Sequence, residues 1–307
     1  MTASVFVVVN PYAGNGRGRV VWGEVRQRLS DLGTPFEFEL TQGELTAESF
    51  ARQALLRGAE TVVVVGGDGT INEAVNGFFL NDQPVRPGAR LAIVPAGSSS
   101  DTARGLGIPD GVAALDLLQA GQTFQIDLGR AEFSEQGRTT SRYFVNNADV
   151  GIGGRIATGA GPFKFLGGRL AFFASSLKAL ADPQPWSGRI QLDEHPPEPI
   201  QAVSVAVALG PYTGGGMKIA PRAKWDDGCF EIVVIGGMSR GELLRSFPRV
   251  YAGTHLSHPG VRSYQAREVS VQAADSPLIE LDGEVVGAGD VRFRILPSAL
   301  GVCVPRP

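Results

Sequence analysis

The segment Val62–Thr70, with the sequence VVVVGGDGT, decides the fold of the N-terminal part of this chain. Four consecutive β-branched residues that end at glycines predict a strand covered on both faces. Ile71, Val75 and Phe78 follow at helical spacing, so the glycine turn opens onto a helix N-terminus, where free N–H groups favour anions. Asp68 suits such a site if a cation lies between its carboxylate and a phosphate. The segment therefore predicts a phosphate-binding turn, and an ordinary βα turn remains the alternative.

Strands and helices alternate on both sides of this segment. Apolar strands are predicted at 5–9, 62–65 and 91–94, with helical spacing between them. This alternation predicts an α/β domain with a mostly parallel sheet and helices on both faces. The glycine-containing loops after these three strands would lie at the carboxyl edge of the sheet, where ligands bind in such folds.

From about Phe124 onward the pattern changes to strand-like segments. Only two helices are predicted there, over 166–180 and 240–251. We therefore expect a β-rich second domain, a sandwich or a barrel, with the working site in a cleft between the two domains.

Composition limits the classes of function. Two domains fit the length of 307 residues, and 43% hydrophobic with 19% charged residues are typical of a soluble globular protein. The formal charge of -3 gives no support to a nucleic-acid partner. The two cysteines and three histidines disfavour a disulfide framework, zinc chemistry and a histidine-based triad. Since no stretch is long enough for a membrane span, we expect a cytoplasmic protein without a transmembrane segment.

Two further loops at the predicted sheet edge could bind phosphate. The loop 10–18 matches neither the Walker spacing nor the dinucleotide fingerprint. The second strand ends in Thr41, where a ribose-binding dehydrogenase would usually carry a carboxylate, and this disfavours a nicotinamide oxidoreductase. After the strand at 91–94, the serines at 98–100 could donate to phosphate oxygens, and Asp101 could hold a cation or cap a helix.

The second part of the chain carries two acidic turns and one amphipathic segment. The Asp-Gly pair before Glu284 predicts a hairpin turn, and Glu284 is a candidate general base. Asp227, in the turn 224–229, could bind a hard cation with main-chain carbonyls. A plain turn remains the alternative for both. The aromatic and basic residues of 161–181 indicate either core packing or a surface that lies against lipid headgroups.

Taken together, these motifs resemble the diacylglycerol kinase catalytic-domain family, in its bacterial soluble lipid-kinase branch. The resemblance implies an α/β nucleotide-binding domain, as in diacylglycerol-kinase-like and NAD-kinase-like folds, followed by a β-rich domain. It also implies an ATP- and Mg²⁺-dependent kinase that phosphorylates a hydroxyl of diacylglycerol or a related lipid. The matching segments extend in order over essentially the whole chain: Asn10-Pro11 with Gly14, Gly66–Thr70 with Asn72 and Glu73, Pro95, Gly97 and Asp101 with Ala103-Arg104, Ala220-Pro221 with Asp227-Gly228, and Asp282–Glu284.

The resemblance assigns catalytic and nucleotide-binding residues. Asp68 and Asp101 would act through Mg²⁺ at the phosphates, and Glu284 would take the proton from the substrate hydroxyl. These three acidic side chains must then converge around one triphosphate. The residues implied to contact ATP are Asn10, Pro11, Tyr12, Ala13, Gly14, Thr41, Gly67, Asp68, Gly69, Thr70, Glu73 and Ser98.

A separate structural Mg²⁺ site is implied at Asp227, together with the carbonyls of Lys224 and Cys229. One position departs from the family pattern, because Ser100 stands where the family usually has an asparagine. A hydroxyl has a shorter reach than an amide, so we expect a looser loop or an altered choice of substrate.

The expected organisation is a nucleotide-binding domain of residues 1–127 and 290–307 and a lipid substrate domain of residues 128–289. The expected partner is a lipid at the inner face of the membrane, and edge strands of the second domain could pair two copies into a homodimer. Two other classes of function remain open. One is an NAD kinase-like enzyme, since that family also uses Gly-Gly-Asp-Gly-Thr after a strand. The other is a lipid-binding protein without catalysis, which only Ser100 suggests.

Overall fold

The computed structural model describes residues 4–43, 46–120, 122–135, 137–166 and 168–305. The chain forms two compact units, Met1–Ile126 with Ser298–Pro307 and Asp127–Pro297. Each unit has its own buried apolar side chains.

The first unit is an α/β fold built on a parallel sheet. Its elements are β1 (Val5–Val9), α1 (Ala13–Asp31), β2 (Phe36–Leu40), α2 (Thr46–Leu56), β3 (Thr61–Gly66), α3 (Asp68–Asn76), β4 (Phe79–Leu80), β5 (Gln83–Pro84), β6 (Arg90–Pro95), α4 (Asp101–Gly105) and α5 (Asp116–Ala120). Strands β2, β1, β3 and β6 lie side by side in that order, and every pair is parallel. Residues 301–302 add a further parallel strand beside β6. The central strand β3 is buried along its whole length, as a run of β-branched residues predicts.

The second unit is predominantly antiparallel. Most of β7 (Thr123–Glu135) belongs to it, as does the first half of β18 (Val291–Cys303). Its other elements are β8 (Arg138–Phe144), β9 (Asn147–Gly151), α6 (Ile152–Gly159), α7 (Gly168–Ala181), β10 (Trp186–Leu192), β11 (Glu198–Ala202), β12 (Ser204–Ala208), β13 (Phe230–Ile235), α8 (Arg240–Ala252), β14 (Val261–Ala266), β15 (Glu268–Ala273), β16 (Leu278–Leu281) and β17 (Glu284–Ala288). One sheet has the order β14-β13-β12-β9-β16-β17. Antiparallel pairs also join β11, β10, β15 and β18 in that order, and β7 with β8. The predicted fold class, a mostly parallel α/β domain followed by a β-rich domain, is confirmed.

Helix α6 was not predicted, so the expectation of only two helices in this part was wrong. Three of its eight residues are glycines, namely Gly153, Gly154 and Gly159, and glycine weakens a helical pattern. A side chain from the preceding strand stabilises its start, because the carboxylate of Asp149 accepts a hydrogen bond from the N–H of Gly153 at 2.7 Å.

Candidate functional site

The turn after β3 brings two glycines of different loops into contact. A Cβ atom at Gly97, in the loop after β6, would lie 2.5 Å from the Cα atom of Gly67, so no larger residue fits there without a shift of the backbone. The N–H of Ile71 donates to the carbonyl of Gly67 at 3.0 Å. Helix α3 therefore begins at Asp68, earlier than the predicted start at Ile71. The N–H groups of its first turn thus lie at the predicted phosphate-binding turn.

Asp68 joins this turn to the start of α4. Its two carboxylate oxygens accept hydrogen bonds from the backbone N–H groups of Asp101 and Thr102, each at 3.1 Å. Asp101 is buried and forms an ion pair with Arg104. Helix α4 is therefore capped by Asp68, whereas the sequence suggested that Asp101 could cap it. Each carboxylate oxygen has a second lone pair, so these contacts leave room for a cation.

The loop after β1 contacts both neighbouring loops. The Nδ2 of Asn10 donates to the Oγ1 of Thr70 at 3.0 Å, and its Oδ1 accepts from the N–H of Tyr12 at 3.0 Å. Gly14 has a φ of +58°, and a Cβ atom there would collide with the carbonyl oxygen of Ala96. The loops after β1, β3 and β6 thus meet at one edge of the parallel sheet.

The other residues predicted to contact ATP differ in their surroundings. Thr41, at the end of β2, is buried. Glu73 accepts a hydrogen bond from the N–H of Ala47 at 3.2 Å, which ties α3 to α2. That contact explains Glu73 without any ligand, so its role towards ATP stays a prediction. Of the remaining residues, Tyr12 and Ser98 are exposed, Ala13 and Gly69 are half-buried, and Pro11 is buried.

Ser100 occupies an unusual position in the loop before α4. Its backbone is left-handed, with φ 51° and ψ 44°. Its Oγ is buried and has no hydrogen-bond partner within the described part of the chain. Asparagine adopts this conformation more readily than serine. The buried hydroxyl is a donor that a phosphate oxygen could satisfy.

The hairpin between β16 and β17 is fixed by an aspartate. Asp282 and Gly283 have φ values of 48° and 95°, and they form the predicted two-residue turn. The Asp282 carboxylate accepts hydrogen bonds from three consecutive backbone N–H groups, at residues 145–147, at 2.7, 2.9 and 2.9 Å. Glu284, the predicted general base, follows the turn and is exposed. The sequence predicts this motif but no separate role for Asp282.

Two further acids were missed, because each is the only acidic residue of a short strand. Asp149 of β9 and Glu280 of β16 are buried and are partners in the strand register. Burial raises the pKa of Asp149 from 3.8 to about 6. Burial and the neighbouring Asp149 raise the pKa of Glu280 well above its usual value.

The turn 224–229 is held by a third acid that the sequence analysis missed. Asp127 is fully buried, and its carboxylate accepts a hydrogen bond from the N–H of Gly228 at 2.7 Å. The carboxylate of Asp227 accepts from the N–H of Cys229 at 3.1 Å, and both Asp227 and Lys224 are exposed. The turn is confirmed, whereas its cation stays a prediction.

The described residues contain neither a cluster of three or more metal-ligating side chains nor a membrane-spanning helix. Within the described ranges, no group of three or more histidine, cysteine or acidic side chains is arranged to hold a metal ion. None of the helices that could be described is long and apolar enough to cross a membrane. The convergence of Asp68 and Asp101 with Glu284, which belong to different units, stays a prediction.

The chain is similar to named kinases over nearly its whole length. It is 27% identical to a diacylglycerol kinase of Staphylococcus haemolyticus, over 98% of this chain and 88% of that protein. It is 29% identical to a diacylglycerol kinase of Mycobacterium tuberculosis, over 98% of this chain and 95% of that protein. The fold is shared with a diacylglycerol kinase structure from Bacillus anthracis, with a TM-score of 0.72 and 20% identity over 98% of this chain and 96% of the other. It is also shared with yeast NADH kinase complexed with NADH, with a TM-score of 0.55 and 12% identity over 100% and 84% of the two chains.

Two family models cover almost all of the sequence. Residues 4–131 match the diacylglycerol kinase catalytic domain. Residues 146–304 match the YegS C-terminal NAD kinase beta sandwich-like domain. This chain therefore belongs to the diacylglycerol kinase catalytic domain family, with a YegS-like β-sandwich as its C-terminal domain.

Proposed function

We propose that this protein is an ATP- and Mg²⁺-dependent lipid kinase that phosphorylates a hydroxyl of diacylglycerol or a related lipid. The observation that carries the proposal is the meeting of the loops after β1, β3 and β6 at the start of α3. This arrangement combines backbone N–H groups at a helix N-terminus with glycines that let a phosphate come close to the main chain.

We infer that the carboxyl edge of the parallel sheet binds a nucleoside triphosphate. We infer that ATP contacts residues 10–14, Thr41, residues 67–70, Glu73 and Ser98. The Gly67–Gly97 contact keeps side chains away from the turn. The buried Oγ of Ser100, which has no partner in the described part of the chain, is a donor for the same ligand.

We infer that two carboxylates of the first unit hold a magnesium ion. Asp68 and Asp101 supply oxygen ligands of the kind that Mg²⁺ prefers, and the backbone contacts of Asp68 fix its orientation. When bound, the ion would neutralise charge on the transferred phosphate. A second ion is proposed at Asp227 with the carbonyls of Lys224 and Cys229, where it would stabilise the turn.

Glu284 is the proposed general base. Its carboxylate accepts the proton of the substrate hydroxyl while that oxygen forms a bond to the γ-phosphorus. The bond from the γ-phosphorus to the bridging oxygen breaks, and ADP leaves with the electron pair. The support for this role is that Glu284 is exposed and follows a turn that Asp282 holds through three hydrogen bonds.

Helix α7 offers a surface for the membrane that holds the substrate. Leu170, Phe173 and Leu177 recur every three or four residues on this helix, and their exposed fractions are 59%, 41% and 37%. Lys178 is exposed beside them. We infer that this face rests against lipid headgroups, and we propose that the enzyme acts at the cytoplasmic face of the membrane. Pairing of two copies through edge strands stays a prediction that analytical ultracentrifugation would measure.

The experiment compares four proteins for ATP binding and for phosphorylation of diacylglycerol in vesicles. Glu284→Gln is expected to bind ATP normally and to lose about 10²–10⁴-fold in kcat, because the base is gone. Asp68→Ala is expected to lose both ATP binding and lipid phosphorylation, because α4 loses its cap and the phosphates lose their cation. Glu198→Gln, at an exposed glutamate of β11, is the matched control and should equal the parent.

Turnover of Glu284→Gln at the parental rate would contradict its role as the base. The C-terminal likeness to the NAD kinase sandwich supports a second candidate, an NAD kinase-like enzyme. The same assay with NAD as the acceptor separates the two functions. An absence of Mg²⁺-dependent ATP consumption with any lipid or with NAD would refute both.

A further inference from the structure

Two buried carboxyl groups lie in β16, the first strand of the proposed catalytic hairpin, and in the neighbouring strand β9. Glu280 of β16 and Asp149 of β9 are register partners in neighbouring antiparallel strands, and each residue is 5% exposed. Side chains of directly opposed residues point to the same face of a sheet and lie close together. Buried acids that face each other are unfavourable unless hydrogen bonds or protonation compensate for them.

Each carboxyl group holds a different turn of the backbone. Glu280 accepts a hydrogen bond from the N–H of Gly283, the second residue of the hairpin turn. Asp149 accepts one from the N–H of Gly153 at 2.7 Å and another from the hydroxyl of Ser204. Glu280 thus holds the hairpin tip, and Asp149 holds the start of α6.

The hairpin turn is held from two sides. Asp282 fastens it to residues 145–147 through three hydrogen bonds. Glu280 fastens it to its own strand through Gly283. Since Glu284 comes immediately after Gly283, these two contacts fix the direction in which its side chain leaves the backbone.

The charge state of Glu280 follows from its surroundings. Burial, and the negative charges of Asp149, Asp282 and Glu284, raise its pKa well above the usual value, although the hydrogen bond from Gly283 opposes this. These surroundings favour the protonated form of the Glu280 carboxyl group. A carboxyl oxygen accepts from an N–H in either protonation state, and so does the carbonyl oxygen of glutamine.

We propose that Glu280 is a positioning residue, a buried carboxyl group that holds the Asp282–Gly283 turn and thereby aims Glu284 at the substrate hydroxyl. Glu280 lies outside the Asp-Gly-Glu motif and is buried. The proposal rests on the proposed function only for the role of Glu284, because the contact with Gly283 exists independently of any reaction.

The experiment replaces Glu280 by glutamine, which keeps the acceptor, and by leucine, which fills similar space without one. Hydrogen exchange of the Gly283 amide and steady-state kinetics with ATP and diacylglycerol vesicles are measured. Glu280→Gln is expected to keep the exchange rate and a kcat within about threefold of the parent, because the acceptor remains. Glu280→Leu is expected to exchange faster at Gly283 and to lose about 10- to 100-fold in kcat, with an unchanged KM for ATP.

The control for general destabilisation is Val233→Ala, at a fully buried residue of β13 in the same sheet. It should change neither the exchange of Gly283 nor kcat. The proposal would be overturned if Glu280→Leu had the exchange rate and the kcat of the parent. A Gly283 amide that exchanges without protection in the parent protein would also overturn it, and this measurement needs no variant. A loss in Glu280→Gln equal to that in Glu280→Leu would show that the charge is needed, and would also overturn it. Absence of lipid kinase activity in the parent would remove the proposed function, whereas the exchange data would still decide whether Glu280 holds the turn.

Discussion

Replacement of Asp149 by asparagine is expected to stabilise the C-terminal unit at neutral and alkaline pH. Burial raises the pKa of Asp149 from 3.8 to about 6, so ionisation of this group opposes folding. At about 1.4 kcal/mol per pH unit, the penalty amounts to about 3 kcal/mol once the group is fully ionised. Asparagine carries no charge, and it can accept from the N–H of Gly153 and donate to the hydroxyl of Ser204, which are the two partners that Asp149 has.

The sign of the pH dependence follows from proton binding. Between pH 3.8 and about 6 the folded state binds more protons at Asp149 than the unfolded state does. Parental stability therefore falls as the pH rises through this window, and the advantage of Asp149→Asn grows by the same amount. Above the window the advantage is constant. Burial lowers the pKa of His255, which destabilises the protein in acid, but this histidine is present in both proteins and cancels in the difference.

The measurement is urea denaturation at pH 4.5 and pH 8, followed by tryptophan fluorescence. Trp186 and Trp225 are buried in the second unit, so a Trp22→Phe background makes the signal specific for that unit. Glu198→Gln, at an exposed acid, is the control and should show no difference at either pH. If Asp149→Asn is less stable than the parent at pH 8, or if its advantage is the same at both pH values, the burial argument is wrong.

Two further predictions concern the nucleotide edge and the lipid face. Gly97→Ala is expected to weaken ATP binding at least tenfold in calorimetry, because its Cβ atom would lie 2.5 Å from the Cα atom of the facing glycine. Gly23→Ala, in open space on α1, should leave ATP binding unchanged, and equal binding by the two variants would refute the close contact. Leu170→Gln with Leu177→Gln is expected to lower sedimentation with anionic vesicles several-fold, since each removes exposed apolar surface. Leu56→Gln, at a leucine that is 71% exposed in the other unit, is its control, and equal losses in both would argue against a membrane face on α7.

The local elements of the site could be predicted from the sequence, because short-range patterns determine them. Val62–Val65 form a buried strand, the glycines form the turn, and the Asp-Gly pair forms the hairpin before Glu284. Helix α6 was missed because its glycines weaken the periodicity on which such predictions depend.

The order of the motifs was equally visible in the sequence, and it sufficed to identify the family. Residues that are neighbours along the chain determine a strand followed by Gly-Gly-Asp-Gly-Thr and a helix. This motif can therefore be recognised without knowledge of the tertiary structure. The fold class follows from the same information, since alternating helical and strand periods determine which layers can form.

Tertiary structure alone decided which side chains hold the site in place. Asp68 caps a helix 33 residues away, Asp127 holds a turn 101 residues away, and Asp282 binds a backbone segment up to 137 residues away. Asp149 and Glu280 become a coupled pair only because β9 and β16 are neighbours in the sheet. Such pairings depend on strand order and register, which the packing of the whole domain determines. A sequence pattern read over ten or twenty residues carries no information about them.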